Sequence, residues 1–562
     1  KLDDDKLNIT VKLDPDYAHN CVEGHKVLVE LTKELKKKVY LGTVLKIIGH
    51  KNDPKVDILS IAYKYGIYED FPEDVIEQLD TIPDEVSPDE LKNRRDLTDK
   101  IIFTIDGDDT KDIDDAISLE MNGENYVLGV HIADVSNYVK ENTPLGDEAF
   151  KRGTSSYLAD TVIPMLPHKL SNGICSLNEG VIRLSMSCVM EFDNQGKLVN
   201  YDIFPSYIKS RKKMTYKKVN DIIERGIIAE DYKPFAETLI KMNELAHILR
   251  KMKERRGYID FDLDEAKIIQ DENGVAIDVV KRVREAGELL IEDFMIAANE
   301  CVATHIYNMD LPFIYRIHEN PKPEKVEDFL NMVNLLGYHL HTKITNITPY
   351  TMQRVLEELA DKKEFPILST LLLRSMRKAE YSKENLGHFG IASKAYTHFT
   401  SPIRRYPDLE VHRLLKKYLV ENDMSMSTID FLNTALVEIA SHSSEREVAA
   451  QNAERDVDDM KMAEYMEKNV GKTYVGTISS VTSFGFFVEL DNLIEGLVHI
   501  STLKKDYYNY VPELLSIIGK STKKTYRLGD KVKVICTAAS KETAMIDFEI
   551  VEDKDGNKKQ KS

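Results

Sequence analysis

Thr104-Ile105-Asp106-Gly107-Asp108-Asp109-Thr110-Lys111-Asp112-Ile113-Asp114-Asp115-Ala116-Ile117 places six aspartates within ten consecutive positions. Two carboxylates about 4 Å apart repel by roughly 4 kcal/mol at an effective dielectric near 20. An acidic run is most often a solvated loop. Here the aspartates alternate with Ile105, Ile113, Ala116 and Ile117, which favour burial. Carboxylates held together in a folded core need protons or cations, and hard oxygens at this density suit Mg²⁺ or Mn²⁺. A calcium loop of the EF-hand kind fails on spacing. Counted from Asp106, the sixth position is Lys111 rather than Gly and the twelfth is Ile117 rather than Glu. The stretch therefore reads as a catalytic Mg²⁺ site behind a buried strand.

Outward from this stretch the chain divides by pattern. Residues 1–62 carry the alternating run Leu7 to Leu13 and the β-rich runs Val27 to Leu31 and Val39 to Ile48, and read as a small barrel. Residues 63–100 are acidic and proline-punctuated, a linker with short helical pieces. Residues 101–467 form one large α+β unit. Strands are expected at Ile101 to Ile105 and Tyr126 to Ile132. Phe235, Leu239, Met242, Leu245, Leu249 and Met252 then keep a helical period up to Gly257, a natural stop. Tyr258 to Asp264 alternates as a strand. Further helices are expected near 285–308, 323–336, 350–361, 365–379, 407–421 and 427–467. Residues 470–551 are again β-rich, and 552–562 form a polar tail expected to be disordered. The fold class is multidomain α+β, a central catalytic domain flanked by small β-barrels.

The chain has 562 residues and a net charge of −19. Net charge does not exclude a nucleic-acid partner, because binding needs only a local positive track. Three such tracks exist: Lys209 to Lys218, Arg374 to Lys378, and Arg404 to Lys417. No run of about 18 apolar residues could span a membrane. The five cysteines include no C-x-x-C pair, which favours reduced thiols and the cytoplasm.

Asp106, Asp112, Asp114 and Asp115, with their surrounding phrase, resemble the catalytic signature of the ribonuclease II/ribonuclease R (RNB) family. Val130 to Ser136, Arg152 to Tyr157, Asp260 to Asp262, Glu292 to Met295, Tyr315 to Glu319 and His398 to Tyr406 resemble its further motifs, in order. The C-terminal module resembles an S1 domain through Gly476, Phe484 to Val488 and Gly496 to Ser501. Ala544 departs from that pattern, which usually supplies a cation there. The N-terminal module resembles the second cold-shock-like barrel of the ribonuclease R branch, the first being absent. Tyr507 to Tyr510 and Thr525 to Gly529 also resemble that branch.

The resemblance implies a processive, hydrolytic exoribonuclease that works from the 3′ end and releases nucleoside 5′-monophosphates. Asp106, Asp112, Asp114 and Asp115 would hold two Mg²⁺ ions, with Mn²⁺ as a substitute. Asp114 and Arg404 would be catalytic, Arg404 at the scissile phosphate. Tyr157 and Tyr315 would clamp terminal bases; Phe484, Phe487 and His499 would stack upstream RNA. The implied partners are single-stranded RNA and RNA with 3′ overhangs, the implied state a monomer without membrane attachment. An inactive RNA-binding regulator of the same family would lack some of the four aspartates, and all are present. A DNA nuclease is a third reading.

Overall fold

The computed structural model describes residues 2–3, 7–18, 20–261, 264–342, 346–362 and 364–551. The polar tail at 552–562 lies outside the described residues. At the N-terminal end, β1 (Thr10–Leu13), β2 (His25–Lys36) and β3 (Val39–His50) form a sheet in the order β1-β3-β2. β2 and β3 are long antiparallel partners whose register slips repeatedly. Such bulges increase twist and coil the ribbon.

The boundary drawn at residue 62 falls inside α1 (Val56–Lys64), which buries Val56, Ile58, Ala62 and Tyr63. The stretch read as a linker carries α2 (Glu73–Leu79) and β4 (Arg95–Asp96), and it is packed rather than loose. Val75 and Ile82 enter the core of the central domain, and Arg94 pairs with the buried Asp134 at 2.6 Å. Isolated apolar anchors in an acidic context hid this packing from composition.

The central domain is built on a five-stranded sheet, in the order β4-β11-β10-β7-β6. Its other strands are β6 (Asp115–Asn122), β7 (Asn125–Ala133), β10 (Ile182–Phe192) and β11 (Leu198–Lys209). β5 (Thr104–Asp106) leaves this sheet and pairs in parallel with β12 (Lys213–Thr215), setting Asp106 opposite Thr215. Between them in sequence lie α3 (Pro144–Arg152), β8 (Ser156–Leu158) and β9 (Thr161–Ile163). Two helices, α5 (Ala236–Arg256) and α6 (Ala286–Met309), cover one sheet face after the short α4 (Tyr216–Arg225). α5 ends at Gly257, whose φ of +103° only glycine adopts without strain. A Cβ there would also meet the Tyr350 backbone at 2.5 Å.

The strand expected at 258–264 does not form in its described part. Ile259 is buried against the α-helical satellite and donates to Gly390 O at 3.0 Å, so the segment is used as a tether. The following hairpin is β13 (Glu265–Gln270) with β14 (Ala276–Arg282). The satellite consists of α7 (Pro323–Leu335), α8 (Pro349–Leu359) and α9 (Phe365–Ser375), between strands β15 (Tyr315–Ile317) and β16 (Glu380–Ser382). α10 (Tyr406–Leu419) and the long α11 (Met426–Glu467) close the domain.

The C-terminal module is a closed barrel, β17-β18-β19-β24-β23. Its strands are β17 (Thr473–Thr482), β18 (Gly485–Leu490), β19 (Glu495–His499), β23 (Lys531–Ser540) and β24 (Met545–Ile550). A separate three-stranded sheet, β20 (Tyr508–Val511), β21 (Ser516–Gly519) and β22 (Thr525–Arg527), is inserted between β19 and β23. The N-terminal module, hairpin and barrel meet at the end of α11. There the buried Lys461 ammonium donates to Asp57 at 2.8 Å, Glu464 at 3.3 Å and Gly274 O at 2.8 Å, while Lys541 also reaches Asp57. The five cysteines are all free thiols.

Candidate active site and nucleic-acid interface

The aspartate stretch is a loop pinched at its base. Phe103 and Ile117 exchange backbone hydrogen bonds of 3.2 and 2.9 Å, which closes residues 104–116 into one excursion from the sheet. Ser176 latches its middle: the hydroxyl donates to Lys111 O at 2.7 Å and accepts from Ile113 N–H at 3.0 Å. Lys213 Nζ donates to Thr110 O at 2.5 Å. Ile105, Ile113, Ala116 and Ile117 are buried, as their alternation with the aspartates requires, while Asp108 and Asp109 are exposed.

A second loop meets this one. Ile403 N–H donates to Asp114 Oδ1 at 2.8 Å, and Arg404 Nε stands 3.7 Å from Asp114 Oδ2. The Arg404 carbonyl accepts from Ser155 N–H at 2.9 Å and from the Thr154 hydroxyl at 3.1 Å, and Tyr406 N–H donates to Gly153 O. The segment that presents Tyr157 is therefore hydrogen-bonded to the segment that presents Arg404. Tyr157 is 38% exposed, and its hydroxyl donates to Asp112 Oδ2 at 3.2 Å. Four aspartates, one guanidinium and one open aromatic ring thus meet at one site, although up to 298 positions separate them in sequence.

The electrostatics are those of crowded acids. Burial pushes the Asp106 carboxyl up, the charges of Asp115 and Asp112 push it further, and Lys213 and Arg404 oppose them. Burial also raises Asp114 and Asp115, again against the pull of Arg404. Asp106 Oδ2 is buried without a hydrogen-bond partner. Among the described residues no three or more His, Cys, Asp or Glu side chains already form a finished metal cage. Asp112 is instead engaged by Tyr157, and Asp114 by Ile403 and Arg404. A buried orphan oxygen and acids whose pKa values are pushed up by burial, and for Asp106 by its acidic neighbours as well, are nevertheless what a cation relieves. The donor set fits divalent metal.

Family models match the chain as an RNB domain at residues 94–421, a cold shock domain at 1–72 and an S1 RNA binding domain at 467–550. The chain belongs to the ribonuclease R family. It is 48% identical to ribonuclease R 1 of Lactococcus lactis over 90% of its length, spanning 62% of that protein. It is 47% identical to the ribonuclease R of Thermotoga maritima over 98% of its length, spanning 78% of that protein. Its structure superposes on Mycoplasma genitalium RNase R in complex with ribose methylated single-stranded RNA with a TM-score of 0.92. That pair is 30% identical, covering 98% of this chain and 86% of the other.

Against the ribonuclease R family pattern, Tyr315 is a correction. It lies in β15, paired with β16, and is 4% exposed, its ring packed edge-on against Phe313 at 5.6 Å inside the main core. A ring enclosed on that scale has no face for a base. Arg405 is also structural: it is half-buried and pairs with the buried Asp408 at 2.7 Å. The rest of the third basic track is largely spent the same way, Arg413 on Glu410 and Lys416 on Asp134. Ser176 lay in no motif, while Lys213 lay in the first basic track and Ile403 in the His398–Tyr406 motif; their contacts with the loop come only from proximity in space.

On the S1 barrel, Phe487 and His499 point outward from neighbouring strands, β18 pairing with β19 so that Gly485 faces His499. Phe484 is 47% exposed, and its ring meets Phe487 edge-on at 6.2 Å. The three expected stacking residues therefore share one surface. Ala544 sits at φ +52° in the turn from β23 to β24 and offers no cation.

Proposed function

We propose that this chain is a hydrolytic exoribonuclease that removes nucleotides one at a time from the 3′ end of single-stranded RNA, releasing nucleoside 5′-monophosphates. The observation that carries the reading is the convergence of Asp106, Asp112, Asp114 and Asp115 with Arg404 and Tyr157 at one site. Asp106, Asp112, Asp114 and Asp115 would hold two Mg²⁺ ions, or Mn²⁺ in their place. When bound, such ions supply Lewis-acid activation of the attacking water and charge neutralisation at the leaving 3′ oxygen. The chain supplies the rest. Ile403 N–H fixes the Asp114 carboxylate. The Arg404 guanidinium, with 42% of its side chain exposed and one N–H donating to Ser401 Oγ at 3.0 Å, would donate to two oxygens of the phosphate. The Tyr157 ring offers a stacking face of no sequence preference, which suits degradation of any RNA. Phe484, Phe487 and His499 hold RNA upstream.

RNA with a 3′ overhang fits the same path. Among the described residues no helix is long and apolar enough to cross a membrane. A monomer acting in the cytoplasm is the simplest state for such an enzyme. All four aspartates are present, which argues against an inactive regulator. The test compares RNA and DNA oligomers of one sequence, with Mg²⁺ and with chelator. RNA shortening that stops with chelator supports the proposal; equal digestion of DNA, or digestion in chelator, overturns it.

A further inference from the structure

The inserted sheet β20-β21-β22 plays no part in the site described so far. Its register sorts its side chains. Tyr510, Ile517 and Tyr526 face one another across the three strands on one side, with Tyr508 opposite Gly519. Tyr508, Ile517 and Tyr526 are buried there, and Tyr526 stacks on Phe486 of the barrel at 5.0 Å. The other side carries Asn509, Ile518 and Thr525 in a row, with Arg527 at one end. Two residues along, Tyr507 and Lys520 extend the same face, joined by a backbone bond from Lys520 N–H to Tyr507 O of 2.8 Å.

Among the described side chains of these rows, the outer face carries an aromatic ring and two cations, in a chain with 95 acidic and 76 basic residues. Tyr507 is 72% exposed, the most exposed aromatic ring among the large hydrophobic residues of the structure. Lys504 and Lys523 are exposed beside it in the chain and in the adjoining turn. The nearest acid, Asp506, is turned to internal use. Its carboxylate accepts from Tyr507, Ser521 and Thr522 N–H groups and from the Thr522 hydroxyl. Those bonds hold its charge well below the usual carboxylate range and fasten the 520–523 turn against Tyr507. An exposed ring on a hydrogen-bonded turn, with lysines close along the chain, suits sequence-tolerant stacking of single strands. The chain leads from His499 to this ring through one short 3₁₀ turn, Ile500–Thr502.

We propose that the outer face of this inserted sheet is a second contact for single-stranded RNA, with Tyr507 as its stacking platform and Lys520 and Arg527 on phosphates. The inference rests on the reading of the chain as an RNA-degrading enzyme. Its test uses the full chain and homopolymeric RNA of about 30 and about 6 nucleotides, in direct binding measurements over a salt series. Tyr507→Ala weakens the longer RNA by about fivefold or more, leaves the shorter one unchanged, and Tyr507→Phe restores the loss. Lys520→Gln with Arg527→Gln lowers the slope of log affinity against log salt by about 1.4, two phosphates' worth on a single strand. Unchanged affinity and slope in both variants, with the parent still binding long RNA, overturns the inference alone and leaves this face to a protein partner. A parent chain that binds no RNA overturns the inference together with the function it rests on.

Discussion

Asp114→Asn separates chemistry from folding more cleanly than any other change at the site. The carboxylate is buried, with Oδ1 held by Ile403 N–H at 2.8 Å and Oδ2 3.7 Å from Arg404 Nε. Asparagine keeps an oxygen for Ile403 and the shape of the site. It removes one negative charge. A unit pair at about 4 Å is worth roughly 4 kcal/mol at an effective dielectric near 20, and solvent at the exposed end of Arg404 reduces that pair to ~1–2 kcal/mol. A divalent cation faces the same charge from closer range, so the loss toward it is at least ~4 kcal/mol. If that loss falls on the transition state, turnover drops about a thousandfold. Folding moves the other way: burial raises the Asp114 pKa against the pull of Arg404, so removing a buried charge offsets the lost Arg404 pair. The assay is single-turnover degradation of end-labelled RNA, beside binding and thermal melting. The expected outcome is lost turnover, affinity within about tenfold (~1.4 kcal/mol), and a melting temperature no lower than the parent's. Turnover near that of the parent refutes the ligand role; a collapsed melting temperature refutes the packing argument.

Replacing Phe484 and Phe487 with alanine removes two rings of the barrel face and weakens long RNA by roughly 1–3 kcal/mol per stacked base; equal loss on very short oligomers would point to a folding defect instead. Tyr157→Ala removes the open ring beside Asp112, and the final undigested remnant lengthens on a sizing gel, whereas an unchanged remnant takes Tyr157 out of the clamp. Lys461→Met breaks the buried junction of three domains and destabilises the chain by about 3–5 kcal/mol, read as a fall in melting temperature. Burial opposes the charges on Asp57 and Glu464, but their lysine partners outweigh it and lower both pKa values. Their stabilisation is therefore present above the ordinary carboxylate range and lost as pH falls through the lowered values. Melting of the parent should fall more steeply on acidification below about pH 4 than melting of Lys461→Met, and parallel curves would contradict that role.

The aspartate loop was legible because its pattern is local. Aspartates alternating with isoleucines define both the charge and its burial within one short segment, and the structure places each accordingly. Helix α5 and its glycine stop were legible for the same reason: a 3.6-residue period and one left-handed residue. What failed was non-local. Tyr258 to Asp264 alternates like a strand, yet no neighbouring strand is there to pair with its described part, and Ile259 instead tethers the helical satellite. Tyr315 matched a motif, but whether a ring faces a cleft or a core depends on β16 and Phe313, which sequence order does not place. The inserted sheet stayed hidden because its three strands are short: Tyr507 to Tyr510 and Thr525 to Gly529 stood out only as likenesses to the ribonuclease R branch, and it is the register that separates their two faces.

The central claim is hydrolysis from the 3′ end, and one digestion tests it most directly. Single-stranded RNA labelled at its 5′ end is incubated with the chain and Mg²⁺ in water enriched in heavy oxygen, without inorganic phosphate, and both ladder and products are followed in time. The expected result is a ladder shrinking by single nucleotides while the label stays on the longest fragment, with one heavy oxygen entering each nucleoside 5′-monophosphate. Early release of the label in a short fragment, or products that form only when phosphate is added and carry two phosphates, would contradict it.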